Sequence, residues 1–555
     1  MLSAKIRPVK SAFPARPDEA VYSPVRAVTV TALAEERSLE RQAQRATRWR
    51  LAALYAGLAT LGILTASGRA GTSDGAVMIN VTRSIAHRAT FEASPCTPEP
   101  LSNHCVPGND GRYYAGFGLL PSALAVPPLV AGEWLAARSG RDPAILSAFL
   151  VSLTTAMVGA LVPLLLAVWL ARLGLPWRPA TGAVLVVFLG SVLWYESVKG
   201  FYSEPYFTAG LVACACLLST TSGGIGAAGA GAAFGAAIAS RLVGIVFGPV
   251  FALYALTVPG SLPFGARLRR VVLFGLGAAP FVLAVAASNY VRFGDVTKTG
   301  YHLAYPTPNV LFSTPLGEGL QHVFFDGEVG LLWFSPWVLL VPWAWAVAWR
   351  RYRAECVLSM ALLGEAVIFF AKYRAWHGGW AYGPRMIAPC LPFVAPALAV
   401  LFERMRHRGL VARGAVVSLV ALAFVVQIGG AFYPMLRYYQ LVTYQKLRGE
   451  PAPFGGSLVA AEWIEMPTIL RGTPAAGAPD PHAQPPPLET RARTLTADQF
   501  LASFDNPANL VSPDLWLWKA ATMGSAAKAA ALAGVLLASS LALLWLALRP
   551  LTTRR

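Results

Sequence analysis

The fold class this sequence predicts is all-α: a polytopic membrane protein with about 12 transmembrane helices. Three observations predict it. Of 555 residues, 55% are hydrophobic and only 13% are charged, with a mean hydropathy of +0.51, so most of the length cannot be a water-soluble domain. Apolar runs close to the roughly 20 residues needed to cross a hydrocarbon core recur along nearly the whole chain. The Lys and Arg residues that give a net charge of +18 fall mostly in short connectors and termini, where they act as topology signals. Helices are the expected element because isolated strands would leave backbone groups unpaired in lipid.

In chain order, residues 1–50 carry "RPVK", "PARPDE" and "EERSLERQAQRATRWR". This basic cluster abuts a span with no small-residue cleavage site, so it reads as a cytoplasmic arm rather than a signal peptide. Spans follow near 51–68, 118–137, 145–171, 180–197, 204–220, 226–258, 271–291, 330–349, 355–371, 386–402, 411–433 and 526–548. Alternating spans put the basic connectors "FGARLRR", "WRRYR" and "ERMRHR" and the tail "RPLTTRR" on the cytoplasmic side with the arm. Left outside are the loop 69–117, the segment 292–329, the turn 372–385 and the stretch 434–525. The membrane module is thus 51–433, followed by an external, partly irregular appendage (434–525) that includes the Pro-rich "GTPAAGAPDPHAQPPPLET", a composition unable to build a core. Residues 526–555 form the last helix and a cytoplasmic tail. Trp516 and Trp518 mark the interface before that helix.

One region resists alternation. "ARSGRD" and "ARLGLPWRPA" are both basic yet flank a single span. Simple counting puts the second outside and "ESVKGFYSEP" inside. A short or re-entrant helix between 118 and 197 would reverse this and export Glu204.

The composition also excludes function classes. There is no phosphate-cradling Gly-Lys-Ser/Thr loop, no dinucleotide fingerprint and no His/Cys pattern with zinc spacing, so ATP-driven chemistry has no support, and the charge distribution does not point to nucleic acid. Cys214 and Cys216 lie in an apolar run as packing residues. Cys96 and Cys105 flank a polar loop and form a local disulfide if that loop is exported.

Four constellations could carry chemistry. In "DGAVMINVTRSIAHRATF", Val77, Val81, Ile85 and Ala89 share one helical face, as in a helix lying flat at the interface. It follows Asp74 and precedes "GNDGRYYAGFG", which holds Asp110, Arg112, Tyr113 and Tyr114. Asp74 reads either as a functional carboxylate or as the N-cap of the flat helix, and Asp110 either as functional or as part of an Asp-Gly turn. The turn "KYRAWHGGWAYGPRMIAPCLP" crowds Lys372, Arg374, Trp376, His377, Trp380, Tyr382 and Arg385 around two glycines. Guanidinium donors match phosphate oxygens in pairs; the bland reading is an aromatic belt with snorkelling cations. "RFGDVTKTGYHLAYPTP" adds Lys298, Tyr301, His302 and Tyr305, and "ESVKGFYSEPYF" adds Glu196, Lys199, Tyr202 and Glu204 at a break between apolar runs.

Taken in order, the acidic residue after the first span, "DGRYYAGFG", "YSEP", "FGDVTKTGY", "GEVGLLWFSPW" and "WHGGWAYGPRMIAPCLP" resemble bacterial integral-membrane glycosyltransferases of the GT-C fold. The group most like it is that of protein mannosyltransferases and aminoarabinose transferases, which use polyprenyl-phosphate sugars. The likeness covers roughly residues 50–435 and is specific for the superfamily, not for the substrate. It implies an active site on the external face of the bacterial inner membrane, with Asp74 as catalytic base and Glu204 as the second, exported acid. Many relatives have Asp-Glu where this chain has Asp-Gly. Donor phosphate would be held by His377 and Arg385 with Arg374 in support, and Asp110, Arg112, Tyr113, Lys199, Tyr301 and His302 complete the candidate substrate-binding set. The implied partners are a polyprenyl-phosphate sugar donor, a glycan, lipid or protein acceptor, and membrane lipids, with no nucleic acid. A divalent metal is left open, since carboxylates can bind one but no obligatory site is visible. The rival reading is a transporter or flippase of lipid-linked saccharides, against which the absence of two repeated halves argues.

The disulfide expectation is checked by alkylation without reductant: Cys96 and Cys105 should take no label, and a mass increase at both sulfurs would refute it.

Overall fold

The computed structural model describes residues 24–96, 104–258, 260–304, 311–471, 487–504 and 508–549. Most of the Pro-rich segment, Tyr305, the heart of the loop between Cys96 and His104, and the first 23 residues of the arm lie outside them. The chain divides into two compact units, residues 1–50 with 551–555 and residues 51–550. A helix of 42 residues, Pro24–Thr65, begins in the first; the rest of the description concerns the second.

That unit is helical, with one described two-stranded hairpin that pairs Val106–Pro107 with Tyr113–Tyr114. Among the described residues, six helices are long and apolar enough to cross a membrane. A seventh counts if the pair Trp177–Leu189 and Val192–Val198, bent by 63°, is one span, and three shorter apolar helices accompany them. The protein is thus a multi-spanning helical membrane protein, but several expected spans are broken. Run 118–137 becomes Leu120–Leu124 and Val126–Ser139, because Pro121, Pro127 and Pro128 lack the N–H a helix interior needs and occupy first turns instead. Run 226–258 splits at Arg241 into Gly224–Ser240 and a 3-10 turn leading into Gly248–Thr257. Run 330–349 breaks ahead of Pro336.

The connectors sort to two ends of the bundle. At one, Arg172 donates to Thr220 Oγ1 (3.1 Å), Arg270 to Leu218 O (2.6 Å), Tyr254 to Glu355 (3.2 Å), Tyr352 to Leu173 O (3.2 Å) and Trp177 to Ala547 O (2.7 Å). These bonds gather the basic connectors at the same end as "ARLGLPWRPA". At the opposite end, Ser67 N donates to Val198 O (2.9 Å), Phe201 N to Ala70 O (2.9 Å) and Asn109 N to Arg292 O (3.2 Å). Glu204 therefore starts its helix at the end that holds Asp74, and simple counting is corrected. The physical reason is the fragmentation of 118–137, which removes one crossing from the alternation.

Small residues set a close helix contact. A Cβ on Gly231 would lie 1.9 Å from Phe274 O, and one on Gly277 would lie 2.0 Å from Ala228 O, so Gly224–Ser240 and Phe264–Phe293 approach backbone to backbone. In lipid, where no hydrophobic drive separates helix from solvent, such van der Waals contact is what joins them. This seam ends at Arg241 and Arg292, both at the Asp74 end.

The stretch 434–525 is more helical than expected. Met435–Arg448 and the short helices Leu488–Thr494 and Ala497–Ala502 form small cores around Leu441, Leu501 and Leu510 and around Tyr444, Ala492 and Phe500, while Leu458–Arg471 packs Leu458, Ala461, Met466 and Ile469 into the main core. Trp516 is a structural clamp: its indole donates to Ile63 O (2.7 Å), and its backbone N donates to Ala66 O (2.9 Å).

Gly231→Leu should destabilise the protein by about 3 kcal/mol, read as a lower unfolding temperature in detergent. An unchanged melt would show that the helix seam can open without cost.

Candidate active site

The site is built by four segments that the bundle brings to one end. The first is Ser73–Arg88, whose N-cap is Thr72: its side chain accepts from Gly75 N at 3.3 Å. Asp74 therefore sits inside the first turn and is not the cap. The helix does not simply lie flat on its Val77/Val81/Ile85/Ala89 face. Met78, Ile79 and Thr82 are buried too, with Met78 and Ile79 in one cluster with Leu129, Phe201 and Tyr206. Ala89 ends the helix in the left-handed region (φ 52°). Its outer face pairs with Val126–Ser139, through Glu133 with His87 (2.8 Å) and with Arg83 (3.6 Å).

The second segment is the loop 199–204. Gly71 and Gly200 face each other with φ of +88° and +156°, and a Cβ on Gly71 would lie 2.2 Å from Lys199 O. Only glycine fits this close backbone crossing, and with the two backbone bonds beside it the crossing brings Asp74 next to Glu204. The third is the break at Arg241. The fourth is the turn 373–387, which carries Arg385.

At the centre, Arg385 bridges two carboxylates. Its Nη2 donates to Asp74 Oδ2 at 2.7 Å and its Nε to Glu204 Oε1 at 2.9 Å, while Nη1 reaches Gly378 O at 3.4 Å. Arg241 also pairs with Glu204 Oε1, and His104 Nε2 meets Asp74 Oδ1. The result is a chain of alternating charge, Arg241–Glu204–Arg385–Asp74–His104. Side-chain exposure rises along it from 0% at Glu204 to 8% at Arg385 and 17% at Asp74. Burial works to raise the pKa of Asp74, but Arg385 and His104 outweigh it and hold the carboxyl below the ordinary carboxylate range.

These groups line a cavity of about 680 Å³ together with Tyr301, Arg374, His377 and Trp380. His377 is oriented by Gly379 N, which donates to its Nδ1 at 3.0 Å. Trp380 is 47% exposed and stacks on Tyr439.

Other sequence candidates are placed elsewhere. Lys199 is buried, donating to Thr65 O (2.9 Å) and Asp514 O (2.5 Å). Asp514 also pairs with Arg69 (3.0 Å) and Lys519 (3.1 Å), so Lys199 belongs to a structural knot behind the cavity. Asp110 shapes the hairpin turn, accepting from Arg112 N (3.0 Å) and Tyr114 OH (2.8 Å). Neither it, Arg112 nor Tyr113 lines the cavity. His302 closes its own turn on Thr299 (3.1 Å), while its neighbour Tyr301 faces the cavity. Cys96 and Cys105 are bridged, and this puts His104 beside the bridge. Among the described residues no three His, Cys, Asp or Glu side chains gather as a metal set, and both site carboxylates are engaged by guanidinium groups, so no step is derived through a metal.

Sequence reading missed Arg241 and His104. Arg241 had a signal: an apolar run of 33 residues is too long for one span, and its lone cation marks the break. His104 had none, since its contact with Asp74 depends on the loop closed by Cys96–Cys105.

No protein-family model and no curated protein matches the chain. Among solved structures it is similar to ArnT from Cupriavidus metallidurans bound to undecaprenyl phosphate, at 13% identity and a TM-score of 0.43 over 83% of this chain and 76% of that one. It is also similar to the apo oligosaccharyltransferase of Archaeoglobus fulgidus, at 15% identity and a TM-score of 0.42 over 84% of this chain. The match spans 64% of that second protein, under two thirds of its length. At such scores these likenesses carry no argument about the site, which rests on its own geometry.

The pH dependence of stability follows from the sign of the Asp74 shift. A carboxyl whose pKa is lowered on folding contributes stability above its unfolded value, about 4, and loses it as pH falls through the folded value. Asp74→Asn should therefore cost about 3 kcal/mol near pH 7, and the cost should shrink as pH is taken below about 4. Thermal melts in which the cost was undiminished at about pH 3 would contradict it.

Proposed function

We propose that the protein is a membrane glycosyltransferase that moves a sugar from a polyprenyl-phosphate donor to an acceptor hydroxyl at the external membrane face, with inversion. The observation that carries this reading is the direct pairing of a cavity-lining carboxylate, Asp74, with a phosphate-matching guanidinium, Arg385, at 2.7 Å. A sugar linked to a polyprenyl phosphate already carries its leaving group, so two protein functions suffice: a base for the acceptor and cations for the departing phosphate. Asp74 takes the acceptor proton as the acceptor oxygen bonds to the anomeric carbon. The bond from that carbon to the phosphate oxygen breaks, and its electron pair leaves with the phosphate. The extra negative charge is met by Arg385 and Arg241, with Arg374 and His377 at the cavity wall. Base and leaving group on opposite faces of one carbon give inversion.

The resemblance of the ordered motifs to GT-C enzymes supports the same reading. The external placement is supported by the basic connectors, which lie at the bundle end away from the site and favour the cytoplasm. The acceptor is a glycan, a lipid or a protein.

In purified protein supplied with a polyprenyl-phosphate sugar, Asp74→Asn should slow release of polyprenyl phosphate at least about a hundredfold, and Arg385→Ala should raise the KM for donor as well. Full turnover in Asp74→Asn would remove the base assignment. Lipid translocation without sugar transfer would favour a flippase.

A further inference from the structure

As the structure has it, the proposed base is bound to the proposed phosphate ligand. Arg385 donates to Asp74 on one side and to Glu204 on the other, and only 8% of its side chain is exposed. Glu204 is fully buried and shared with Arg241. Both carboxylates reach the cavity lining, but Asp74 is the more exposed, at 17%. A group approaching Arg385 from the cavity thus meets Asp74 first. Of the two carboxylates, Asp74 is also the cheaper to detach, because it can regain water while Glu204 cannot.

We infer that the donor phosphate and the Asp74 carboxylate compete for Arg385, so that donor binding itself releases Asp74 to act as base. This rests on the proposed function and adds an order to it: donor before acceptor. Glu204 has the opposite role. Clamped by Arg385 and Arg241, it is a positioning residue that keeps both guanidiniums in place while the phosphate replaces Asp74. The exchange is close to neutral in charge, since a phosphodiester brings one negative charge and the released carboxylate keeps its own at the cavity wall, near His104. A carboxylate freed from Arg385 is also a stronger base, because the main influence that lowers its proton affinity has gone. Without the donor phosphate in place no competent base faces the cavity.

The test is binding of sugar-free polyprenyl phosphate to the full-length protein in detergent micelles, with thermal melts confirming that each variant is folded. If the two anions compete, Asp74→Asn should bind this lipid about tenfold more tightly than the unmodified chain, the equivalent of one charge-assisted hydrogen bond no longer contested. Glu204→Gln should bind it more weakly. Equal or weaker binding by Asp74→Asn, alongside weakened binding by Arg385→Ala, would overturn the competition and leave the phosphate site standing. Undiminished binding by Arg385→Ala would overturn the proposed phosphate site itself. In the unmodified chain, adding polyprenyl phosphate should shift a carboxylate stretching band in infrared difference spectra. The absence of any such shift would also refute the exchange.

Discussion

The bidentate role of Arg385, one guanidinium holding two carboxylates from distant segments, is the constraint on which the rest of the site depends. Desolvating an ion pair is expensive, and removing one member leaves a charge with no partner, which costs more. The chain from Arg241 to Asp74 is therefore stable only when all four segments arrive together. The loop after the first span must cross the loop before Glu204, the helical seam must stop at Arg241, and the turn with Gly378 must fold Arg385 inward. The close glycine crossing at Gly71 and Gly200 and the backbone contact at Gly231 are what the polypeptide offers to meet those demands.

Around this centre other buried charges do purely structural work. Lys199 with Asp514 ties the stretch after residue 434 to the membrane helices, and Arg437 with Glu465 at 2.7 Å joins two helices within that stretch. Arg292 donates to Ala115 O at 2.8 Å and fixes the loop that follows the hairpin. The site loop is thus held from three directions. The later helices are part of the same compact unit as the membrane bundle, and the floor beneath Gly71 includes Asp514, Trp516 and Lys519.

A carboxylate held by a guanidinium is well placed but weakly basic, and a phosphate-binding guanidinium held by a carboxylate is well placed but occupied. The two conditions are resolved together if one substrate anion substitutes for the carboxylate. Buried salt bridges contribute little net stability; under the proposed function the pairing stores the base and the phosphate ligand in register, and the exposure gradient from Glu204 to Asp74 favours release of Asp74.

Hydropathy and the basic connectors are local properties, so the sequence alone determined the helical membrane class and offered Asp74, Glu204 and the Arg385 turn as candidates; that Asp74 lies in the first turn rather than at the cap, and at the same end as Glu204, was decided by the structure. Span breaks were less legible, because a Pro or a lone Arg in an apolar run is compatible with either a kink or an end. Which cations serve the cavity was decided only by the tertiary structure. Lys199, Arg241 and Arg385 look alike in sequence, as do Asp74 and Asp110, and they differ in what reaches them across 311 positions from Asp74 to Arg385 and 181 from Glu204 to Arg385. Electrostatic partnership acts through space at a few ångströms, and no periodicity along the chain encodes it.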